Sequence, residues 1–413
     1  MIIKTSPLAP KKLKKLYEID GVSISSVSCG IKKNFKDDLV LIKFDSPSQI
    51  YGFFTSSKTP GVPIVWNKSI IKNGKVSALI INSGNANVYT GKKGEEALKK
   101  IITALSIKLS INEKEIYMAS TGVIGEPLDY KKVIKQIPLL IKNLRNTPQS
   151  WLKAANAIRT TDTFPKLYSE KIKFNLKEKF YINGIAKGSG MIAPNMATML
   201  AFIFTDANLT SSQLSKMLNS SIQKSFNNIT VDGDTSTNDM VSIFSIKRKS
   251  SNKKKYFNNK QLKKFQKDLD DLSIDLAKKI VVDGEGAKKL IEIEVVRAKN
   301  NKQAKNVALS IANSLLVKTA IAGEDANWGR IIMAIGKSSS TIKQNKISIK
   351  IGKNYVIKNG EIIKNYNENI VTKHLKKDEI HLFIDLFLGT GSSKVWTCDL
   401  TKKYIEINAD YRS

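Results

Sequence analysis

Thr198 lies between Ala197 and an apolar run in the segment "NMATML", and its hydroxyl is a candidate nucleophile. A threonine hydroxyl needs a base beside it, and the α-amine of an N-terminal threonine can be that base. This amine has a pKa of about 7.7 to 8.0, so a useful fraction is neutral near pH 7. Because Thr198 is internal, its hydroxyl must first attack the carbonyl of Ala197, and water must then hydrolyse the resulting ester. The residues alone allow this chemistry, but most threonines before an apolar strand simply begin it.

The neighbouring segment "GSGMIA", which begins at Gly188, imitates a dinucleotide-binding glycine pattern with Asp206 downstream. A helix should open at the second glycine of such a pattern. Pro194 interrupts that helix, and the next apolar run, "MLAFIFT", has the composition of a strand. We therefore reject a nucleotide site here.

The run "VDGDTSTND" (residues 231–239) contains Asp232 and Asp234, which suggest a calcium loop or an aspartate-based phosphotransferase. A calcium loop needs further oxygen ligands and a glutamate at its twelfth position, which this run lacks. Asp, Thr and Ser side chains commonly bond their own backbone in turns. We favour such a turn and leave open a role near the active site.

Composition indicates an ordinary globular protein. The chain has 413 residues, enough for two domains or one large double-layered unit, with 41% hydrophobic and 25% charged residues. Cys29 and Cys398 are far apart, which fits a reduced cytoplasm better than a disulfide scaffold. His374 and His381 are the only histidines, so a zinc site and a Ser-His-Asp triad are both disfavoured. The N-terminal residues do not predict a secretory signal, and no apolar run is long enough to predict a membrane span.

The net charge of +32 raises the question of nucleic-acid binding. Only six of the 68 basic residues are arginine, the residue that reads bases and phosphates bidentately. We interpret the charge as a solvated lysine-rich surface and expect no nucleic-acid partner. The most basic stretch, residues 247–264, is interpreted as an exposed loop entering a helix.

Apolar periodicity predicts mixed α and β structure in both halves of the chain. Thr210 followed by Gln213 forms a capping box that predicts a helix start. Strands are expected in residues 38–44, 77–82, 199–205, 240–247 and 291–297, and helices in residues 94–105, 130–144, 210–226 and 260–279.

The segment around Thr198 resembles the processing site of the ornithine acetyltransferase (glutamate N-acetyltransferase) family of arginine biosynthesis. Further blocks resemble that family in its order, so the resemblance covers the chain nearly end to end. The blocks are "INSGNANVYTG" (81–91), "STGVIGEPL" (120–128), "TTDTFPK" (160–166), "KGSGMIAPNMATML" (187–200), "FNNITVDGDTSTND" (226–239), "VVDGEGAKKLIEIEV" (281–295), "VKTAIAGEDANWGRIIMAIG" (317–336) and "WTCDLTKKYIEINADYRS" (396–413).

The resemblance implies an α/β fold of mixed α and β layers that cleaves itself between Ala197 and Thr198. Residues 1–197 would be the alpha chain and residues 198–413 the beta chain, sharing one core. The implied activity is a cytoplasmic acyltransferase that moves acetyl from N2-acetylornithine to glutamate through an acetyl ester on Thr198. A dimer of alpha-beta units, a heterotetramer, is also implied, with no metal and no bound cofactor. Whether acetyl-CoA is a further acetyl donor is left open.

The resemblance also assigns roles to individual residues. Thr198 would be the nucleophile, and Thr121 and Gly122 would form the oxyanion hole. Lys187 suits the α-carboxylate that both substrates share, whereas Glu285 would face an ammonium or lie beside a compensating cation. The implied substrate-binding residues are Thr161, Lys187, Thr198, Glu285, Asn408 and Ser413.

The chain departs from the family at a few positions. Arg412 and Ser413 replace the two usual terminal threonines, although Ser413 keeps a hydroxyl, and Ala326 stands where proline is common. Two rival functions remain: a related self-processing N-terminal-threonine aminopeptidase, whose ester passes to water, and a basic nucleic-acid-binding protein. Product analysis with and without glutamate separates the two enzymes, and a salt titration against DNA tests the third function.

Overall fold

Strands and helices are interspersed along the chain in a computed structural model that describes residues 4–33, 36–174, 179–193, 199–247, 257–364 and 366–409. In chain order the strands are β1 (Val22–Val27), β2 (Leu39–Phe54), β3 (Lys75–Asn85), β4 (Ile116–Val123), β5 (Lys166–Lys173), β6 (Lys179–Lys187), β7 (Leu200–Thr205), β8 (Met240–Ser245), β9 (Leu290–Ala298), β10 (Ser348–Ile351), β11 (Asn354–Lys358), β12 (Glu361–Ile362), β13 (Glu379–Asp385) and β14 (Gly391–Cys398). The helices are α1 (Val62–Ile70), α2 (Gly91–Leu109), α3 (Tyr130–Lys142), α4 (Pro148–Ala157), α5 (Ser211–Lys224), α6 (Asn259–Val282), α7 (Asn301–Ala312), α8 (Leu315–Ala322), α9 (Gly329–Gly336), α10 (Glu368–Leu375) and α11 (Lys402–Ala409).

One sheet contains strands from both sides of the predicted cleavage site. Its order is β4-β3-β2-β8-β7-β6-β5, and β1 pairs with β2. β7 is antiparallel to β6 and parallel to β8, which in turn is antiparallel to β2. Residues before position 197 and after position 198 therefore share one hydrogen-bonded sheet.

The inner strand β7 is buried on both faces, which explains its uninterrupted apolar sequence. On one face Phe204 packs against Phe244 of β8 and against Trp151 of α4, with ring centroids 4.8 and 4.9 Å apart. On the other face Ala201 and Ile203 join a cluster with apolar residues of α5 and α6. The chain thus forms two helical layers around this sheet.

A second sheet lies wholly after position 198, with the order β12-β11-β10-β13-β9-β14. β9 and β13 are parallel, and helices α7 to α10 contribute apolar residues to the core of this sheet. Leu290 of β9 and Trp396 of β14 also belong to the apolar cluster of the first sheet. The two sheets therefore share part of one core.

The predicted elements are found close to their expected positions. Thr210 is the N-cap of helix α5: its hydroxyl accepts the Gln213 N–H at 3.2 Å, and the Gln213 side chain accepts the Thr210 N–H at 2.9 Å. The long predicted helix is α6. Residues 248–256, most of the predicted basic loop, lie outside the described residues. Within the described ranges, no helix combines the length and the apolar character needed to cross a membrane.

Glu292 links β9 to β14 by an ion pair and a hydrogen bond. Its carboxylate lies 2.8 Å from Lys394 Nζ and accepts the Trp396 indole N–H at 2.8 Å. Burial alone would raise the pKa of Glu292, but these two partners outweigh burial and hold the pKa at about 2, below its ordinary value of 4.5. A carboxyl with a depressed pKa stabilises the folded state above pH 4.5, and this stabilisation is lost as the pH falls through 2.

We expect Glu292→Gln to lower the free energy of unfolding by about 1 to 2 kcal/mol near neutral pH, after discounting for solvent screening. The difference from wild type should shrink below pH 4.5 and vanish near pH 2. Urea unfolding across this pH range measures it, and the exposed Glu379 of β13, changed to Gln, is the control. A difference that is independent of pH would contradict the ionic origin of the stabilisation.

Candidate functional site

Six of the predicted site residues line one cavity of about 280 Å³, and they come from both sides of position 197. These are Thr121, Gly122, Thr161, Lys187, Glu285 and Asn408. Ala197, Thr198 and Ser413 lie outside the described residues. Their roles, like those of the six, remain predictions. Thr121 and Asn408 nevertheless meet at this cavity although they lie 287 positions apart in sequence.

Thr121 and Gly122 lie near the end of β4, where this strand runs beside β3. Gly122 has φ +135°, and a Cβ atom built on it would lie 2.2 Å from the carbonyl carbon of Gly84 on β3. Both the backbone conformation and the close contact require glycine at this position. The close approach of β3 and β4 therefore fixes the backbone of the predicted oxyanion hole.

Lys187, at the end of β6, is buried and donates a hydrogen bond to Thr121 Oγ1 at 3.0 Å. Because the Thr121 hydroxyl accepts this bond, its own hydrogen remains to be donated elsewhere. Burial lowers the pKa of the Lys187 ammonium, while the nearby Asp162 carboxylate opposes this shift. The predicted α-carboxylate partner is thus in direct contact with the predicted oxyanion donor.

A buried ion triad joins segments that are adjacent to the cavity-lining residues. Lys166 Nζ is 2.6 Å from Asp162 Oδ1 and 2.6 Å from Asp283 Oδ2, and all three side chains are fully buried. Burial would lower the pKa of Lys166, but the two carboxylates outweigh it and raise that pKa. Removing one partner of a buried ion pair typically costs about 3 to 5 kcal/mol.

The triad fixes three segments that carry predicted site residues. Asp162 follows Thr161 in sequence and accepts the backbone N–H of Gly188, the residue after Lys187, at 2.7 Å. Asp283 lies two positions before Glu285 and accepts the Thr163 N–H at 2.9 Å. Sequence reasoning missed this triad because a buried lysine cannot be distinguished from the many solvated ones by residue type.

Glu285 forms one wall of the cavity with three polar neighbours. Its Oε2 accepts the Asn408 amide N–H at 2.8 Å, its backbone N–H donates to the Ser189 carbonyl at 2.9 Å, and Ser189 Oγ lies 2.7 Å from Thr161 Oγ1. Burial raises the pKa of Glu285, and the hydrogen bonds from Thr161 and Asn408 only partly offset this. The close partners of Glu285 are thus the Thr161 hydroxyl and the Asn408 amide, while the Lys187 ammonium is a weaker influence on it.

The elements around residues 188–193 differ from those of a dinucleotide-binding glycine pattern. β6 ends at Lys187, no helix opens within residues 188–193, and the next strand in the described chain is β7, antiparallel to β6. For a metal, no suitable group of three or more His, Cys, Asp or Glu side chains occurs among the described residues. Both cysteines are buried and free.

The turn interpretation of residues 231–239 is incomplete. Local bonds are present, since the Asn238 N–H donates to Ser236 Oγ at 3.1 Å. However, Asp232 also accepts the backbone N–H groups of Met191 at 2.6 Å and Ile192 at 2.8 Å, just before the predicted cleavage segment. Ser236 and Asn238 line the cavity itself. Residues 231–239 are therefore part of the site. Their composition, which is typical of a turn, did not reveal this role in the sequence.

Comparison with known proteins agrees with the predicted resemblance. The model of the ArgJ family matches residues 23–413. The arginine biosynthesis bifunctional protein ArgJ of Bartonella quintana is 43% identical over 415 residues, with 100% of both chains covered. The protein of the same name from Gluconobacter oxydans is 44% identical, covering 100% of this chain and 96% of that one.

Among solved structures, the arginine biosynthesis bifunctional protein argJ of Bacillus halodurans is 42% identical. The match covers 50% of this chain and 97% of that chain, with a TM-score of 0.47. The predicted resemblance and the mixed α/β fold class are confirmed, and with them the expectation of an acyltransferase enzyme. The chain belongs to the ArgJ family.

Proposed function

We propose that this protein transfers the acetyl group of N2-acetylornithine to glutamate, through an acetyl ester on Thr198. The observation that carries the proposal is the cavity at which Thr121, Gly122, Lys187, Glu285 and Asn408 meet. Relatives that match 100% of this chain are named arginine biosynthesis bifunctional proteins, which supports a place in arginine biosynthesis.

Self-cleavage comes first in this proposal. The Thr198 hydroxyl attacks the carbonyl carbon of Ala197, and the peptide C–N bond breaks as the amine takes up a proton. Water then hydrolyses the ester, releasing the Ala197 carboxylate and restoring the Thr198 hydroxyl. The product is an alpha chain of residues 1–197 and a beta chain of residues 198–413, whose new α-amine is the base that threonine chemistry requires.

Acetyl transfer follows in two steps. The Thr198 hydroxyl gives its proton to its own α-amine and attacks the acetyl carbonyl, while the Thr121 hydroxyl and the Gly122 N–H stabilise the oxyanion. Collapse of this intermediate releases ornithine, whose α-nitrogen receives the proton. The neutral α-amine of glutamate then attacks the acetyl ester, and N-acetylglutamate leaves as the threonine hydroxyl is restored.

The pocket suits the amino-acid part of both substrates. An ammonium has three hydrogens, so the Lys187 bond to Thr121 leaves up to two for the α-carboxylate that the substrates share. Glu285, buried and held by Asn408, would face the side-chain ammonium of ornithine. Thr161 and Ser413 complete the proposed pocket. We further propose that catalysis needs no metal or bound cofactor, with acetyl-CoA a candidate co-substrate, and that the cytoplasmic enzyme is a dimer of alpha-beta units.

An assay of N-acetylornithine consumption with and without glutamate tests this function. We expect N-acetylglutamate and ornithine in equal amounts when glutamate is present, and little turnover without it. Equal rates of acetate release with and without glutamate would instead identify a hydrolase of the aminopeptidase type. Salt-dependent DNA binding without acetyl transfer would identify a nucleic-acid-binding protein.

Lys187→Met should weaken the binding of both substrates by similar factors, because the charge proposed to hold their shared α-carboxylate is lost. A charge-assisted hydrogen bond is worth roughly 1.5 to 3 kcal/mol, or about tenfold to a hundredfold in affinity. The variant should also lose part of kcat, since Lys187 contacts Thr121. KM measured separately for each substrate tests this. If only glutamate were affected, Lys187 would pair with the side-chain carboxylate instead.

A further inference from the structure

Asn238 connects two segments of the cavity wall through its side chain. Its amide Nδ2 donates to the carbonyl of Ser120 at 2.7 Å and to the carbonyl of Ala86 at 2.6 Å. Ser120 directly precedes Thr121, and Ala86 lines the cavity. Asn238 is only 5% exposed, so its amide has little access to water as an alternative partner. The side chain of Asn238 thereby fixes the backbone that leads into the predicted oxyanion hole.

Asp239, the next residue, fixes the segment that carries the predicted nucleophile. Its Oδ1 accepts the backbone N–H of Met199, the residue after Thr198, at 2.9 Å. Met199 is also held on its other side, because its carbonyl accepts the Met240 N–H at 3.1 Å. The backbone of Asp239 is held in turn, since its carbonyl accepts the Thr55 N–H at 3.0 Å. Asp239 is 0% exposed.

We propose that Asn238 and Asp239 form a positioning pair that sets the distance and orientation between the Thr198 nucleophile and the Thr121–Gly122 oxyanion hole. This inference rests on the proposed function. Asn238 holds Ser120, the residue before Thr121, and Asp239 holds Met199, the residue after Thr198. Because Asn238 and Asp239 are adjacent in sequence, a single peptide bond connects the support of the oxyanion hole to the support of the nucleophile. A misplacement of about 1 Å in a reacting geometry can cost about 10² in rate. This effect on the rate does not require either residue to contact the substrate.

The chemistry of Asp239 indicates which substitution should preserve its role. Burial raises the pKa of Asp239 well above its ordinary value, although the Met199 N–H and the Lys187 ammonium act in the opposite direction. An amide oxygen accepts an N–H as a carboxyl oxygen does, and asparagine has nearly the same size as aspartic acid. Asparagine can therefore keep the Met199 bond, whereas alanine removes it.

The test compares Asp239→Ala with Asp239→Asn in the full-length protein. Asp239→Ala should slow cleavage at Ala197–Thr198 and lower the kcat of the cleaved protein by about 10², with the KM for N-acetylornithine little changed. Asp239→Asn should recover most of both rates. If Asp239→Ala folds but stays uncut, recovery of cleavage by Asp239→Asn is the decisive result. Unchanged rates in Asp239→Ala, or an Asp239→Asn variant as slow as Asp239→Ala, would overturn the role.

Asp399 provides a matched control. It is 3% exposed and its carboxyl accepts the backbone N–H groups of Lys288 at 2.8 Å and Lys289 at 2.9 Å, but it does not line the cavity. Asp399→Ala should lower the thermal midpoint and leave kcat unchanged. If it lowers kcat as much as Asp239→Ala does, the effect is general destabilisation and the inference fails.

Asn238, the other member of the pair, is tested by removing its side-chain amide. Asn238→Asp keeps the size of the side chain but removes the donors that face two carbonyls, so kcat should fall tenfold or more, on the order of 1.4 kcal/mol. An unchanged kcat would overturn this half of the pair. Wild-type protein that transfers no acetyl group would refute the proposed function itself. Active wild-type protein with equally active variants would refute only the positioning role.

Discussion

Replacing Thr198 by alanine should give a single uncut chain of 413 residues that transfers no acetyl group. The change removes the hydroxyl on which both proposed reactions depend, so no partial activity is expected from either. Wild-type protein should instead run as chains of 197 and 216 residues on a denaturing gel. These chains should stay associated under native conditions, because β7 and β8 lie between β2 and β6 in one sheet.

Thr198→Ser is the matched variant, since serine keeps a hydroxyl and differs by one methyl group. It should cleave and retain measurable transfer, while Thr198→Ala does neither. Thermal melting of the three proteins checks that the alanine variant is folded. A wild-type protein that remains uncut and yet is fully active would show that the terminal-amine mechanism is wrong.

Replacing Thr121 by valine should lower kcat for acetyl transfer by about 10² to 10³, the usual loss for one oxyanion donor. Valine keeps the branched shape of threonine, so the change removes the hydroxyl and little else. KM should change less than kcat because the oxyanion forms only in the transition state. Steady-state kinetics on cleaved protein measures both quantities.

Thr121→Ser restores a hydroxyl at the same position and should recover much of the lost rate. The hydrogen bond from Lys187 at 3.0 Å gives a structural reason to expect a side-chain donor here. Wild-type kcat in Thr121→Val would mean that the donor is a backbone N–H, such as that of Gly122. A rise in KM alone would assign Thr121 to substrate binding.

The sequence predicted most elements of the fold because their signals are local. The capping box at Thr210 and Gln213 marked the start of α5, and the unbroken apolar run of β7 marked a strand. The order of strands was not predictable in this way. That β7 lies between β6 and β8, with one neighbour antiparallel and the other parallel, depends on long-range packing that no local pattern encodes.

The candidate site came from the family resemblance more than from the chemistry of single residues. Thr161, Lys187 and Glu285 have ordinary residue types, and only the tertiary structure brings them to one cavity. The residues that support the cavity wall were even harder to predict from the sequence. Lys166 is one of 68 basic residues, and only its burial between two aspartates distinguishes it. Asn238 and Asp239 were concealed within a run whose composition is typical of a turn.

The most direct test of the proposed mechanism is intact-mass spectrometry of the purified protein after incubation with N-acetylornithine in the absence of glutamate. We predict that the chain of residues 198–413 gains the mass of one acetyl group, located on Thr198 by fragmentation. Glutamate added next should remove this acetyl group and yield N-acetylglutamate in equal amount. Steady transfer to glutamate without any acetylated chain, or an acetyl group that glutamate cannot remove, would contradict the mechanism.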